Sequence, residues 1–330
     1  MSHLPKSKQY RKRILILRVE EIILVLSAIF LVVVMLYLKQ YMAVSDITVG
    51  IERETEYQYA ATQMEKAESA VEENIVQIDV INKNEDTDGL QALNSEEAMF
   101  IIQEEILQKE VHFDTEEEYE WLQSHKGLFP KEKVEAAENN AGLIHFLYQY
   151  GNGEYALGNE FELTDAELSA DIPLFMQWDE RWGYEDYGSF NVGISGCGPT
   201  CLSMILIGFT KNEQLNPLNL ADYAMSHDYY LNGTGTKWAF FPDVSELYGI
   251  TCNELSVTEE AIIGELEKGH PVICSMRRGH FTRAGHFIVL TGVNNDLITI
   301  NDPNSLELSQ KEWSFQTIQT EIAHAWSFEQ

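Results

Sequence analysis

The chain has 330 residues, a formal net charge of −31 and a hydrophobic content of 45%. A chain of this length exceeds one average domain but need not form two large ones. Residues 1–40 hold seven Lys or Arg against two Glu, a balance of +5 that leaves −36 for the remainder. Because phosphate contacts require a basic surface, this charge argues against a nucleic-acid partner for the bulk of the protein.

The N-terminal segment has the pattern of a membrane anchor. Six basic residues within 6–18 precede a charge-free, apolar run, Ile22 to Leu38. At ~1.5 Å per residue this run would form about 26 Å of helix, short for the bilayer core but within the usual range. The basic flank places residues 1–21 in the cytoplasm as a tail, with the rest of the chain outside. The alternative is a cleaved signal peptide ending near Ala43-Val44-Ser45, which the overlong apolar run disfavours.

Residues 39–111 are strongly acidic, and we expect them to form a helical stalk. Apolar and small residues recur with 3-4 spacing from Tyr57 to Ile81, which predicts an amphipathic helix or a weak coiled coil that allows weak self-association. Asn94 with Glu97 predicts a capped helix start. Residues 112–170 form a helical lead-in, where Thr115 with Glu118 has the capping-box pattern.

The composition changes near residue 171, where aromatics, glycines and short apolar runs become frequent, as in a compact mixed domain spanning 171–330. Helical patterns cover the residues after Cys197, then Trp238–Leu247 and Val257–Lys268. Three strand-like runs follow, Pro271–Met276, His286–Thr291 and Leu297–Asn301, the last two joined by a predicted hairpin.

Cys197 lies in the stretch Gly196-Cys197-Gly198-Pro199-Thr200, ahead of an apolar helical run. Pro199 suits a first helical position, so Cys197 should sit just before the helix. Free backbone N–H groups and the positive end of the helix dipole then favour the thiolate. Taken alone, a cysteine in such a turn is more often a buried structural residue.

The predicted hairpin brings a histidine and a carboxylate together. A turn centred on Asn294 places His286 directly opposite Asp302. An imidazole beside a carboxylate is the geometry in which Asp orients His and stabilises imidazolium. With Cys197 this makes a nucleophile, a base and an orienting group.

The remaining cysteines and histidines predict no metal or cofactor site. Zinc is disfavoured because no closely spaced Cys or His pair faces a second one. A disulfide between Cys252 and Cys274 stays open, since outside the membrane an even number of cysteines can mean bridges.

Residues 173–326 resemble the C39-like cysteine peptidases, papain-fold relatives of the bacteriocin-processing double-glycine peptidases. Five matching motifs occur in the expected order: Gln177–Gly183, Gly196–Thr200, Gly279–Thr282, Gly285–Gly292 and Asn301–Ser305. The resemblance implies an α+β papain-like fold, with a nucleophile helix packed on an antiparallel sheet.

The same resemblance implies roles for four residues. Cys197 would be the nucleophile, His286 the base and Asp302 the orienting group. Gln177 would donate to the oxyanion beside the backbone N–H of Cys197. The bacteriocin-processing members carry an ABC transporter and face the cytoplasm, whereas the catalytic domain of this chain is predicted to lie outside the cell. We therefore do not expect double-glycine leader cleavage.

The sequence thus predicts a cysteine peptidase anchored in the bacterial cell envelope, with an extracellular catalytic domain acting on a peptide or protein substrate. Two alternatives stay open. One is a different acyl transfer on the same residues, such as an amidase or transferase acting on cell-wall or protein amides. The other is a catalytically silent papain-like binding module.

The charge pattern around the apolar run predicts the topology. Protease added to intact cells should remove the catalytic domain and leave the N-terminus protected, since the basic tail stays in the cytoplasm. Immunoblotting of N- and C-terminal tags measures this. Digestion of the N-terminal tag from outside would contradict the topology, and a soluble chain starting near Asp46 would indicate cleavage.

Overall fold

The computed structural model describes residues 93–111, 113, 115–158 and 160–330. The predicted membrane span Ile22–Leu38, the preceding tail and the stalk seam Tyr57–Ile81 lie outside these residues. Within the described part of the chain, no helix is both long and apolar enough to cross a membrane.

The described residues fold into helices and an antiparallel sheet. The α-helices are α1 (Ser95–Val111), α2 (Thr115–His125), α3 (Lys131–Ala136), α4 (Ala141–Asn152), α5 (Asp165–Ser169), α6 (Val192–Ser195), α7 (Cys197–Thr210), α8 (Pro217–Ser226), α9 (Phe240–Leu247), α10 (Glu259–Leu266), α11 (Leu306–Ser309) and α12 (Phe315–Ile318). The strands are β1 (Asp186–Tyr187), β2 (Phe190–Asn191), β3 (Tyr230–Leu231), β4 (Gly235–Thr236), β5 (Thr251–Leu255), β6 (Val272–Met276), β7 (His286–Asn294), β8 (Leu297–Asn301), β9 (Trp313–Ser314) and β10 (Ile322–Glu329).

Six strands form the main sheet in the order β5-β10-β6-β7-β8-β9, with every pair antiparallel. Strand β7 is internal, as its run of apolar residues predicts. Phe287 and Val289 join the core that packs around α7, whereas Ile288 and Leu290 join a second core with α10. The alternation of side chains along β7 therefore buries both faces of the sheet.

The hairpin β7–β8 forms, but its predicted register is wrong. Asn295 and Asp296 have left-handed φ values of 49° and 65° and make the two-residue turn. Leu290 pairs with Ile300, two residues away from the predicted partner, and a bulge follows before Gly292. Because a two-residue shift keeps each side chain on its own face, His286 and Asp302 still share one side, as diagonal rather than direct neighbours.

Three strands of the sheet, β5, β9 and β10, were not predicted from the sequence. Strand β10 lies between β5 and β6, and neither β5 nor β10 was among the three predicted runs. Most side chains of β5 are exposed, so the sequence of this strand shows little hydrophobic periodicity. Its place at the sheet edge depends on pairing with β10, a contact distant in sequence.

The helices that precede residue 169 pack onto the same core as α7. Leu122 of α2 and Leu143 and Phe146 of α4 are buried in the cluster that also holds Trp178 and Trp182. The capping box predicted at Asn94 forms, because the Asn94 side chain accepts from the backbone N–H of Glu97 at 3.0 Å and the Glu97 carboxylate accepts in return at 3.2 Å.

The second predicted capping box, Thr115 with Glu118, is not present. The Glu118 carboxylate is buried and bonds to Nδ1 of His145 in α4 at 2.7 Å instead. The residue therefore joins α2 to α4 rather than capping α2. A tertiary partner for a buried carboxylate takes precedence over a local cap.

Gly142 tests how tightly α4 is packed against Trp178. A Cβ at this position would lie 2.1 Å from the Trp178 ring, whereas a Cβ at Gly264 in α10 meets nothing within 4 Å. We expect Gly142→Ala to lower the free energy of unfolding by about 1–3 kcal/mol through overpacking. The matched control Gly264→Ala should raise it by about 0.5–1 kcal/mol, since alanine is the better helix residue. Urea unfolding measures both, and equal effects would contradict the packing.

Candidate active site

Cys197 is the first residue of α7, with Gly196 at the N-cap. The helix begins two residues earlier than Pro199 predicts, and Pro199 is tolerated because the first backbone N–H groups of a helix lack intrahelical partners. Residues 198–208 are buried, so the helix is fixed in the core while Cys197 itself stays partly exposed. The thiol is therefore both held in place and accessible.

His286 begins β7, lines the same cleft as Cys197 and lies close enough to lower the pKa of its thiol. Its Nε2 is 2.7 Å from Oδ1 of Asp302, and both side chains are almost fully buried. Since Nε2 faces the carboxylate, Nδ1 is the nitrogen left for the thiol. The structure thus brings together the three residues that the sequence predicted.

The loop after β8 holds the Asp302 carboxylate in position. Oδ1 of Asp302 also accepts from the backbone N–H of Asn304 at 2.8 Å, and the backbone N–H of Asp302 donates to Ser309 Oγ at 2.9 Å. The carbonyl of Asn304 accepts from Trp178 Nε1 at 3.0 Å and from the Asn140 amide. A carboxylate fixed in this way can fix the imidazole.

The electrostatics favour a thiolate–imidazolium pair. Burial by itself would raise the pKa of the Cys197 thiol, but the hydrogen bond and charge of His286 bring it below its ordinary value, with further contributions from Lys133 and the backbone N–H of Phe287. Burial opposes the charged form of His286 too, yet the charge and hydrogen bond of Asp302 raise its pKa to about 9. Proton transfer from sulfur to imidazole is therefore favoured.

A cleft of about 440 Å³ opens over the sulfur. Its lining includes Cys197, His286, the loop Gly233–Thr236, Trp238 and, from the lead-in, Pro130, Glu132 and Lys133. A second cavity of about 420 Å³ lies between α4 and the Trp178 segment, and its lining contains neither Cys nor Ser. The first cleft is thus the one that the nucleophile faces.

The glycines on either side of Cys197 are in close contact with protein atoms and leave no space for a ligand. A Cβ on Gly198 would lie 2.3 Å from the side chain of Thr236, and one on Gly196 would lie 2.6 Å from Val192. Glycines at these positions could have let a substrate backbone approach the thiol. The close neighbours are instead β4 and α6, which pack against the start of α7.

Gln177 is completely buried. Its side-chain nitrogen donates to the carbonyl of Gly193 at 2.6 Å, and its backbone N–H donates to the carbonyl of Pro303 at 2.7 Å. Among the described residues that line the cleft, Gln177 is not included. The structure therefore places it beside the Asp302 loop without bringing its amide into the cleft.

All four cysteines are free. Cys252 in β5 and Cys274 in β6 are separated by β10, so the disulfide that the sequence left open does not form. Burial raises the pKa of Cys201 well above its ordinary value, and it raises the pKa of Cys252 to about 12 and that of Cys274 as well. Cys197 is therefore the one cysteine whose surroundings favour the thiolate.

Sequence reasoning missed Lys133 and Asn140, which come from the lead-in. Lys133 of α3 lies in the cleft close enough for its charge to act on Cys197 and Asp302. Asn140, the N-cap of α4, donates to the loop that carries Asp302. No local signal distinguishes either residue, because an isolated Lys on a short helix and an Asn before a helix are ordinary surface and cap patterns.

Residues 169–328 match the sequence profile of the Peptidase_C39 like family. This segment is therefore similar to the C39-like peptidases, the resemblance that the motifs predicted. A search among curated proteins finds no match.

Solved structures with similar domains include proteins from Streptococcus and from Bacillus anthracis. The peptidase domain of Streptococcus ComA, a bifunctional ABC transporter of a quorum-sensing pathway, is 18% identical with a TM-score of 0.34, covering 44% of this chain and 97% of that one. A putative C39-like peptidase from Bacillus anthracis is 14% identical with a TM-score of 0.32, covering 48% of this chain and 94% of that one.

The pH dependence of alkylation tests the geometry of the site. Wild-type Cys197 should react with iodoacetamide near pH 6, well below the ~8.5 of a free thiol, because His286 stabilises the thiolate. His286→Ala should slow this reaction markedly, and Asp302→Asn should slow it less. Peptide mass mapping of the alkylated protein over a pH series gives the rates.

Cys201→Ala is the matched control. It removes a buried thiol one helical turn away and should leave the pH profile unchanged with a modest loss of stability. A wild-type profile like that of a free thiol, unmoved by His286→Ala, would contradict the thiolate–imidazolium pair.

Proposed function

We propose that the protein is a cysteine peptidase that hydrolyses peptide bonds through an acyl-enzyme. The observation that carries the proposal is the accessible thiol at the start of α7 facing His286, whose Nε2 is 2.7 Å from Asp302. Cys197 is the proposed nucleophile, His286 the acid and base, and Asp302 the group that orients the imidazole. The similarity of residues 169–328 to a peptidase family supports the peptide substrate.

In the proposed reaction the Cys197 thiolate attacks the carbonyl carbon and forms a carbon–sulfur bond. The imidazolium of His286 gives its proton to the leaving amine as the carbon–nitrogen bond breaks. Water, deprotonated by the now neutral His286, then attacks the thioester and releases the acid and the thiolate. The backbone N–H of Cys197, at a helix start, is a proposed donor to the developing oxyanion.

Gln177 stays in the proposal as a second oxyanion donor. Its side-chain nitrogen carries two N–H groups, and Gly193 accepts from one of them. Gln177→Ala should then lower kcat by roughly 10²–10³ without moving the alkylation profile of Cys197. A loss of thiolate reactivity in this variant would instead mean that Gln177 supports the Asp302 loop.

We also propose that the apolar run Ile22–Leu38 anchors the protein in a membrane, with the acidic residues between this run and α1 as a spacer and the peptidase domain, residues 171–330, outside the cell. The basic residues before the run support this orientation.

Turnover of a peptide library by the purified full chain tests the activity. Cys197→Ala should abolish cleavage, and Asp302→Asn should lower kcat by less than the ~10⁴ seen for the comparable change in a serine triad, because a thiolate is already a strong nucleophile. Since the pKa of His286 is raised to about 9, kcat/KM should persist to about pH 9 and fall above it, where the imidazolium is lost.

Mass spectrometry of trapped protein and products separates the alternatives. An acyl group on Cys197 that is released to water supports hydrolysis, and release to an amine indicates a transferase. Absence of any acyl-enzyme with a large panel of peptides and cell-wall amides would leave the silent binding module.

A further inference from the structure

The cleft carries a positive charge that the proposed catalytic residues do not account for. Lys133 of α3 lines the cleft together with Cys197 and His286, and it is half-buried. Most Lys and Arg side chains of the described residues have a carboxylate or carbonyl partner, for example Lys131 with Glu135 at 2.9 Å and Lys237 with Asp228 at 3.1 Å. Within the described residues, no carboxylate or carbonyl is bonded to the Lys133 ammonium, and the charges that act on it are those of Cys197, Asp302 and Glu132.

The rim next to Lys133 is basic as well. The segment Arg277–Gly285 connects β6 to β7, and its last two residues line the cleft beside His286. Arg278 and Arg283 of this segment are exposed and lie close enough to Glu135 of α3 for their charges to lower its pKa. The loop and α3 therefore border the same side of the cleft.

Two carboxylates offset part of this charge. Glu132 lines the cleft and is exposed, while Glu135 is bonded to Lys131. The remaining cations, Lys133, Arg278 and Arg283, outnumber Glu132. Such an excess is unusual on a chain whose net charge is −31.

We infer that the cleft selects a peptide that carries a carboxylate close to the scissile bond, with Lys133 as the residue that binds it. This inference rests on the proposed peptidase function and adds the substrate class to it. A half-buried ammonium without a partner is costly. A ligand carboxylate would supply the missing acceptor, and the basic rim would draw acidic peptides toward the cleft.

The placement of Lys133 has a second consequence. Since α3 precedes residue 169, the charge that selects the substrate comes from the lead-in and not from the segment that matches the peptidase family. The proposed catalytic residues thus lie in the segment that matches the peptidase family, whereas Lys133 lies in the lead-in.

Two alkylating agents of nearly equal size, one charged and one neutral, test the inference without a known substrate. Iodoacetate is anionic and iodoacetamide is neutral, and each places a CH₂ group on the sulfur while iodide leaves with the bonding electrons. In the full chain, the ratio of their rate constants at Cys197 should exceed the ratio for a small free thiol by roughly tenfold at low salt, because the Lys133 charge attracts the anion. The ratio is independent of the thiolate fraction, which affects both rates equally.

Lys133→Gln should remove most of this excess, leaving the smaller contribution of the basic rim, and Lys133→Arg should keep most of it. The matched control is Lys131→Gln on the same helix, whose charge is already paired with Glu135, and it should leave the ratio unchanged. Raising the salt concentration should lower the wild-type ratio with no mutation at all. An unchanged ratio in Lys133→Gln, or a wild-type ratio equal to that of the free thiol, would overturn the inference.

The peptide library separates this inference from the proposed function. Cleavage that favours Asp and Glu over Asn and Gln near the scissile bond, with the preference lost in Lys133→Gln, supports both. Cleavage without such a preference overturns the inference and leaves the peptidase. A charge-dependent alkylation ratio without cleavage of any peptide overturns the peptidase and keeps Lys133 as an anion-binding residue.

Discussion

The candidate site depends on the hydrogen bonds that hold the loop after β8. Asn301 donates to the carbonyls of Ile172 and Pro173, and the carbonyl of Asn304 accepts from Trp178 and Asn140. These bonds fix Asp302 between them, and Asp302 fixes His286. Without the carboxylate, an imidazole buried to this extent would lose its proton, and the thiol would lose the charge that lowers its pKa.

Burying this charged group has a cost that the surrounding fold must offset. His286 and Asp302 are almost fully enclosed, and an ion pair in such surroundings adds little net stability once desolvation is counted. The cores on both sides of the sheet, and the apolar helix α7, supply the stability that the site does not. The site is thus a region where stability is given up for reactivity.

The lead-in is part of the site as well as part of the core. It contributes Asn140 to the loop of Asp302 and Lys133 to the cleft, and its helix α4 packs on Trp178 through Gly142. The segment that matches the peptidase family therefore holds the proposed nucleophile, base and orienting group. The residues before it supply Asn140, which supports the loop of Asp302, and Lys133, which adds a positive charge to the cleft.

The sequence determined that a helix starts next to Cys197, that β7 is central and that a hairpin turn follows it, because helix caps, apolar runs and turn residues are local signals. The helix begins two residues before the predicted Pro199, and the turn is made by Asn295 and Asp296 rather than centred on Asn294. The sequence also placed His286 and Asp302 on one face, although the register was wrong by two residues, since side chains alternate with period two. Only the tertiary structure decided the place of β5 and β10, the partner of Glu118 and the arrival of Lys133 at the cleft. Each of these depends on contacts between residues far apart in sequence, which no local pattern encodes.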